Sequence, residues 1–169
     1  MFGPIAETIE TERLTLEPLT VSHADEMREV LGDPELHAFM GGEPATLAEL
    51  RARYQRLVAG PAPFHQEGWL NWVVRRNDDI QAVGTVQATV TPGAQGPQAS
   101  VAWVIGVPFQ GRGYACEAAA ALAGWLRDHS VAGLVANIHP DNLASAGVAR
   151  HIGLHPTDQY AGDEVVWRG

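Results

Sequence analysis

The sequence contains no lysine: all eleven basic residues are arginine, set against twenty Asp and Glu, for a formal charge of −9. A nucleic-acid binder needs a basic face, so no nucleic-acid partner is expected. The negative balance either draws a cationic acceptor such as an amine into an acidic cleft or simply keeps the chain soluble. There is one cysteine, Cys116, so no internal disulfide can form, which suits a reducing cytosol. No apolar run approaches the length that crosses a bilayer, and no membrane partner is expected. The stretch Met1-Phe-Gly-Pro-Ile-Ala-Glu7 has neither a basic region nor an apolar core, so no secretory signal and a cytoplasmic location are expected. The seven histidines are scattered without ligand spacing, and no metal site is expected. No repeat, low-complexity tract or linker interrupts the chain, and 1–169 fits one domain with a core of its own.

What the sequence does have is centred on Ala99 to Asp128. Val101-Ala-Trp-Val-Ile105 is short, apolar and β-branched, and reads as a strand. Gly106 to Gly113 forms a turn, and Tyr114 to Asp128 has the length and alanine content of a helix. Strand, glycine-rich turn and helix together make an anion site. The first helical N–H groups are unpaired at the positive end of the dipole, and glycines let the backbone approach a phosphate. Arg112 adds a forked cation. Taken alone, Gly111 and Gly113 either serve a phosphate or only turn the chain tightly. A dinucleotide fingerprint does not fit, because Gly111-Arg-Gly113-Tyr-Ala-Cys116 lacks the third glycine. Cys116 falls in the first turn of that helix, where a thiolate is favoured, but no partner base is placed beside it and it reads as a small packing residue.

Elsewhere, Leu14-Thr-Leu16 alternates as a first strand ended by Pro18. Ser22 with Asp25 predicts a capped helix to about Leu31, and Thr46 with Glu49 a capping box opening a helix to about Val58. Trp69 to Val74 and Ile80 to Val90 form a hairpin around Arg76-Asn-Asp-Asp79. Asn71 and Gln87 are polar residues in these apolar strands, so each either closes a local network or faces a wet cleft. Leu134 to Ile138 is a short strand, Asn142 to His151 a helix ended at Gly153, and the chain from Leu154 through Glu164-Val-Val-Trp167 supplies closing strands.

Gln110-Gly-Arg-Gly-Tyr-Ala115 resembles the acyl-CoA pyrophosphate loop of the GNAT N-acetyltransferases, Gln/Arg-x-x-Gly-x-Gly/Ala. His139-Pro-Asp-Asn142 through Ser145 to Gly153-Leu154 is similar to that family's later motif. Thr11-Glu-Arg-Leu-Thr-Leu-Glu-Pro-Leu19 is similar to the first strand of its RimJ/RimL-like branch, which acetylates protein N-termini and small amines. The resemblance spans nearly the whole chain. It implies an α/β (α+β) fold: a mixed sheet of about six to seven strands and about four helices, whose fourth and fifth strands splay to admit acyl-CoA.

On that resemblance the cofactor is acetyl-CoA, and the acceptor is a small-molecule amine or a peptide N-terminus, with the protein a monomer or homodimer. The backbone of Trp103, Val104, Ile105 and Val107 pairs with the pantetheine arm, and Gln110, Gly111, Arg112, Gly113, Tyr114 and Ala115 take the pyrophosphate. Asn142 and Ser145 contact the arm near the sulfur. Ile105 N–H is the expected oxyanion donor. Many members carry a tyrosine acid seven residues after the Asn; here that residue is Ala149, so Ser145 takes the donor role or else bonds back to its own turn. The central strand carries no carboxylate. His139, Glu43 or bulk water is then the base, with a solvent-facing loop histidine the plain alternative for His139. His37, Phe39, Met40, Glu43, Asn71 and Gln87 are the candidates for acceptor contacts, with plain packing or solvent exposure the first alternative for the four from His37 to Glu43. The missing tyrosine and carboxylate keep open a second function, a non-catalytic acyl-CoA-binding module of the same fold.

Overall fold

Alternating apolar residues build the sheet. In the computed structural model, which describes residues 2–169, β1 (Ile9–Glu10) and β2 (Leu14–Pro18) pair antiparallel, and Leu14 and Leu16 of β2 turn fully inward. β1 is an addition to the sequence reading; two residues are too few to carry a period. Next comes α1 (Ala24–Val30), preceded by a single 3₁₀ turn. Its start is not capped by Ser22. Thr20 caps the preceding 3₁₀ turn instead, its N–H donating to Nδ1 of the buried His23 at 2.9 Å, and α1 itself begins without a side-chain cap. A one-turn α2 (His37–Met40) leads to α3 (Leu47–Ala59), whose Thr46 and Glu49 cap each other reciprocally.

β3 (Gly68–Arg76) and β4 (Ala82–Thr91) form the hairpin, and β5 (Gln98–Ile105) adds antiparallel to β4. α4 (Tyr114–Asp128) crosses to β6 (Gly133–Ile138), the partner of β5 and its parallel neighbour. α5 (Leu143–His151), β7 (His155–Ala161) and β8 (Glu164–Arg168) complete the described residues, and β8 inserts between β6 and β7. The sheet order is β1-β2-β3-β4-β5-β6-β8-β7, the mixed α/β architecture expected, with eight strands against about six to seven and five helices against about four.

Helices cover both faces. Ala118, Leu122 and Leu126 of α4 pack with Leu70, Trp72 and Val101 of the sheet and with Ala146 and Ala149 of α5 in one cluster. On the other face Met27 and Val30 of α1 meet Leu50 and Tyr54 of α3 over Val73. The Arg75 guanidinium joins that layer to the sheet, paired with Glu17 and, at 2.8 Å, with Glu26.

The strands that resemble the family's fourth and fifth are β5 and β6. They pair only from Gln98–Gly133 to Ser100–Val135. Beyond that point Ala136 to Ile138 pair with β8, and Val101 to Ile105 keep β4 alone. Gly84 makes the β4 side of this edge close-packed: a Cβ there would stand 2.0 Å from the Val104 carbonyl oxygen. The sheet is therefore split along half of β5, and that split positions the site.

Candidate active site

The turn from β5 into α4 ends in two left-handed glycines, Gly111 at φ +77° and Gly113 at φ +82°. Both torsions are strained for any residue with a Cβ. Gly113 is the N-cap of α4 and offers no side-chain cap. Among the described residues, none of the six backbone N–H groups from Gly111 to Cys116 has a hydrogen-bond acceptor. A helix start left open in this way is a ready receptor for an anion. The Arg112 guanidinium, exposed beside it, makes no ion pair among the described residues.

The loop is braced from far away in the chain. Arg13 Nη1 donates to the Arg112 carbonyl at 2.9 Å, and its Nε donates to Glu117 at 2.7 Å. Glu117 also accepts from Thr11 Oγ1 at 2.6 Å and from the Arg13 N–H at 2.9 Å. Gln110 spends its side chain internally: Nε2 donates to the Ile105 carbonyl at 2.9 Å, so it positions the loop rather than facing a phosphate. The early Thr11-Glu-Arg13 motif thus acts on a loop 99 residues away. No local pattern announces that.

Burial, the largest influence on Glu117, pushes its carboxyl up, but the Thr11 and Arg13 hydrogen bonds outweigh it and hold the pKa below the ordinary value. A depressed carboxylate contributes stability above its ordinary pKa and loses it as pH falls through the folded one. Wild-type melting temperature is therefore expected to fall more steeply than that of Glu117→Gln between about pH 5 and pH 3. Parallel curves from scanning calorimetry would show that Glu117 is not braced as described.

A cleft of about 480 Å³ opens at the split. Its lining includes Trp103, Val104 and Ile105 of β5, Gln110, Gly111 and Gly113 of the loop, Tyr114, Ala115 and Cys116 of α4, and Asn142 and Ser145 of α5. Gly106 N–H donates to Val83 of β4 at 2.8 Å. By antiparallel alternation Val104 also faces β4, while the N–H groups of Trp103 and Ile105 face the open gap. Val104 therefore lends the cleft a wall rather than a pairing group. Val107 begins the 3₁₀ turn, its carbonyl accepting from Gln110 N–H, and does not line the cleft. Asn142 Oδ1 accepts the Ser145 N–H at 3.2 Å, which caps α5 and leaves Nδ2 as a donor. The Ser145 hydroxyl lines the cleft and has no hydrogen-bond partner among the described residues, so the back-bonded alternative is not what is found. Ala149 is fully buried in the core, away from the cleft lining.

The acceptor candidates divide. Phe39 lines the cleft together with Glu35 and Leu36, two residues the sequence reading passed over. Asn71 and Gln87 line a second, smaller cavity of about 160 Å³ on the α1–α3 face, which reaches Trp103 and Val104 from the other side. His37 turns Nε2 to the Leu31 carbonyl at 3.0 Å, and Glu43 is exposed outside both cavities. The Met40 side chain lies outside the described residues. His139 is likewise not among the cleft-lining residues. Its ring sits 5.5 Å from that of Phe39, and Nδ1 accepts the Asp141 N–H at 3.1 Å. Its Nε2 lies 3.8 Å from Asp163. With Nδ1 accepting, the neutral ring has no free lone pair for an amine proton.

Open amides beside Arg112, a strand edge with unpaired N–H groups, and Ser145 in the lining of the same cleft lie together at the split. The sequence from residue 13 to residue 155 matches an acetyltransferase (GNAT) domain. The chain belongs to the GNAT acetyltransferases. Solved GNAT relatives share its fold over almost its full length. An acetyltransferase of this family from Bacillus anthracis superposes with a TM-score of 0.78 at 18% identity, covering 96% of this chain and 98% of that one. An acetyltransferase from Agrobacterium tumefaciens is 28% identical, with a TM-score of 0.71 and coverage of 97% and 94%. RimL, a ribosomal-protein α-N acetyltransferase solved with coenzyme A, superposes at 0.76 with 20% identity over 96% and 95%. No curated protein matches the sequence.

Proposed function

We propose that this GNAT protein transfers an acetyl group from acetyl-CoA to a primary amine of a small molecule or a peptide N-terminus, by direct attack in a ternary complex. One observation carries the reading: six consecutive amides, Gly111 to Cys116, unpaired among the described residues, follow a strand whose own free N–H groups are those of Ile105 and Trp103. The groove fits coenzyme A on its own chemistry. Gly111 to Cys116 and Arg112 are suited to the diphosphate, and the free edge of β5 is suited to the amides of the pantetheine arm. When bound, acetyl-CoA supplies an activated acyl group as a thioester.

The chain's own groups then have distinct tasks. Ile105 N–H donates to the carbonyl oxygen as negative charge develops on it, a contribution worth about 3 kcal/mol at such a site. The Ser145 hydroxyl would hydrogen-bond the departing sulfur and pass it a proton that it regains from solvent, and Asn142 Nδ2 would hold the arm beside it. Glu35, the one carboxylate in the cleft lining, draws in the ammonium form of the acceptor and receives the proton it loses. His139→Ala is accordingly expected to leave the rate at neutral pH unchanged.

Thiol release from acetyl-CoA, followed with a panel of amines, tests the proposal. Amine-dependent release supports a transferase. Tight coenzyme A binding without release under any amine would instead establish the binding module, and no affinity for coenzyme A would remove both.

A further inference from the structure

The 160 Å³ cavity has a composition that points to its occupant. Leu19, Leu31 and Leu57 give it apolar walls. Asn71, Thr85 and Gln87 give it a polar floor on the sheet. Arg53 and Tyr54 join Leu57 from α3 in its lining. Tyr54 is 4% exposed, and among the described residues its hydroxyl is a buried polar group with no hydrogen-bond partner. An orphaned buried hydroxyl is costly unless something else satisfies it. Burial pushes this phenol up to about 12, so it remains a donor throughout the working pH range. Arg53 makes no ion pair among the described residues. Its neighbour one turn earlier, Glu49, is committed to the capping box with Thr46.

Charge separates the two cavities. Among the described residues, the one charged residue lining the thioester cleft is Glu35, and the one charged residue lining the smaller cavity is Arg53. Trp103 and Val104 of β5 line both spaces. We infer that the acceptor is a small zwitterion, a primary amine with a carboxylate on the same short apolar skeleton, its amine in the cleft by Glu35 and its carboxylate held by Arg53 and the Tyr54 hydroxyl. This rests on the transferase reading and narrows it. A polycation finds no carboxylate in the smaller cavity and must place charge against Arg53, so the same site selects against polyamines and aminoglycosides. The carboxylate would supply the acceptor that Tyr54 lacks, and a charge-assisted bond of that kind is the stronger sort.

The test uses the full chain saturated with coenzyme A, its binding measured first by calorimetry. L-leucine, β-alanine and γ-aminobutyrate are then titrated against their carboxamides, with kanamycin as the polycation. At least one amino acid is expected to bind about tenfold or more tightly than its own carboxamide, with kanamycin weaker than both. Arg53→Gln is expected to erase that preference, and Tyr54→Phe to weaken the carboxylate ligand by about three- to tenfold while coenzyme A affinity holds. Merely structural substitutions would not alter the ratio of carboxylate to carboxamide. Equal binding of each pair, an undiminished preference in Arg53→Gln, binding of none of the amino acids, or tighter binding of kanamycin overturns the inference and leaves the transferase reading in place. Failure of the first titration, with coenzyme A itself, overturns the transferase reading instead.

Discussion

Gly113→Val is expected to lower coenzyme A affinity by about 10²–10³-fold while the protein still folds. Two effects add. Gly113 holds φ +82°, where a β-branched residue stores about 1–3 kcal/mol of strain. A Cβ there also comes within 3.3 Å of Arg13 Nη2, the side chain that braces the loop through the Arg112 carbonyl. Relieving either moves the open amides away from the diphosphate, and each charge-assisted bond lost costs about 1.5–3 kcal/mol. A total near 3–4 kcal/mol corresponds to the affinity loss stated, at about 1.4 kcal/mol per factor of ten. Gly124→Ala is the control: it lies exposed on the same helix, and nothing stands within 4 Å of its added Cβ. Calorimetric titration of both variants, with circular dichroism to check folding, decides the matter. Unchanged affinity in Gly113→Val would mean the diphosphate is not gripped at this turn.

For Ser145→Ala the expected loss falls on the rate instead. The hydroxyl lines the cleft unpartnered, and removing the group that protonates a leaving thiolate costs about 10²-fold or more in kcat. Coenzyme A affinity is expected to change less than about threefold, since Asn142 and the loop amides remain. The split matters: a merely structural serine would alter stability or affinity along with rate. Steady-state thiol release measured beside equilibrium binding separates the two. A kcat equal to wild type would leave solvent as the donor. Ala149 cannot take over, since its methyl group has no proton to give.

The elements that sequence reading located best are those held by neighbours in the chain. The Thr46–Glu49 box opens α3 as expected, and α4 runs from Tyr114 to Asp128 because its alanine run and the Gly113 turn are both local. The Asn142 cap on α5 is local in the same sense, bridging three residues to Ser145. Local signals also misled. Ser22 looks like a cap, yet Thr20 and the buried His23 ring form one, because packing under α1 turned that histidine inward. His139 packs against Phe39, a residue of the cleft lining, and its ring accepts the Asp141 N–H, but His139 is not itself among the lining residues.

By itself the sequence determined the glycine turn at Gly111 and Gly113, the helix behind it and the Asn142 cap beside Ser145, since each depends on torsions and hydrogen bonds within a few residues. Only the tertiary structure decided which strand edge lies free, that Arg13 and Glu117 brace the loop across 104 residues, and that Tyr54 ends without a partner beside Arg53. Those features come from β6 leaving β5 for β8 and from α3 lying over Asn71 and Gln87. Contacts between residues so far apart have no period or spacing in the chain.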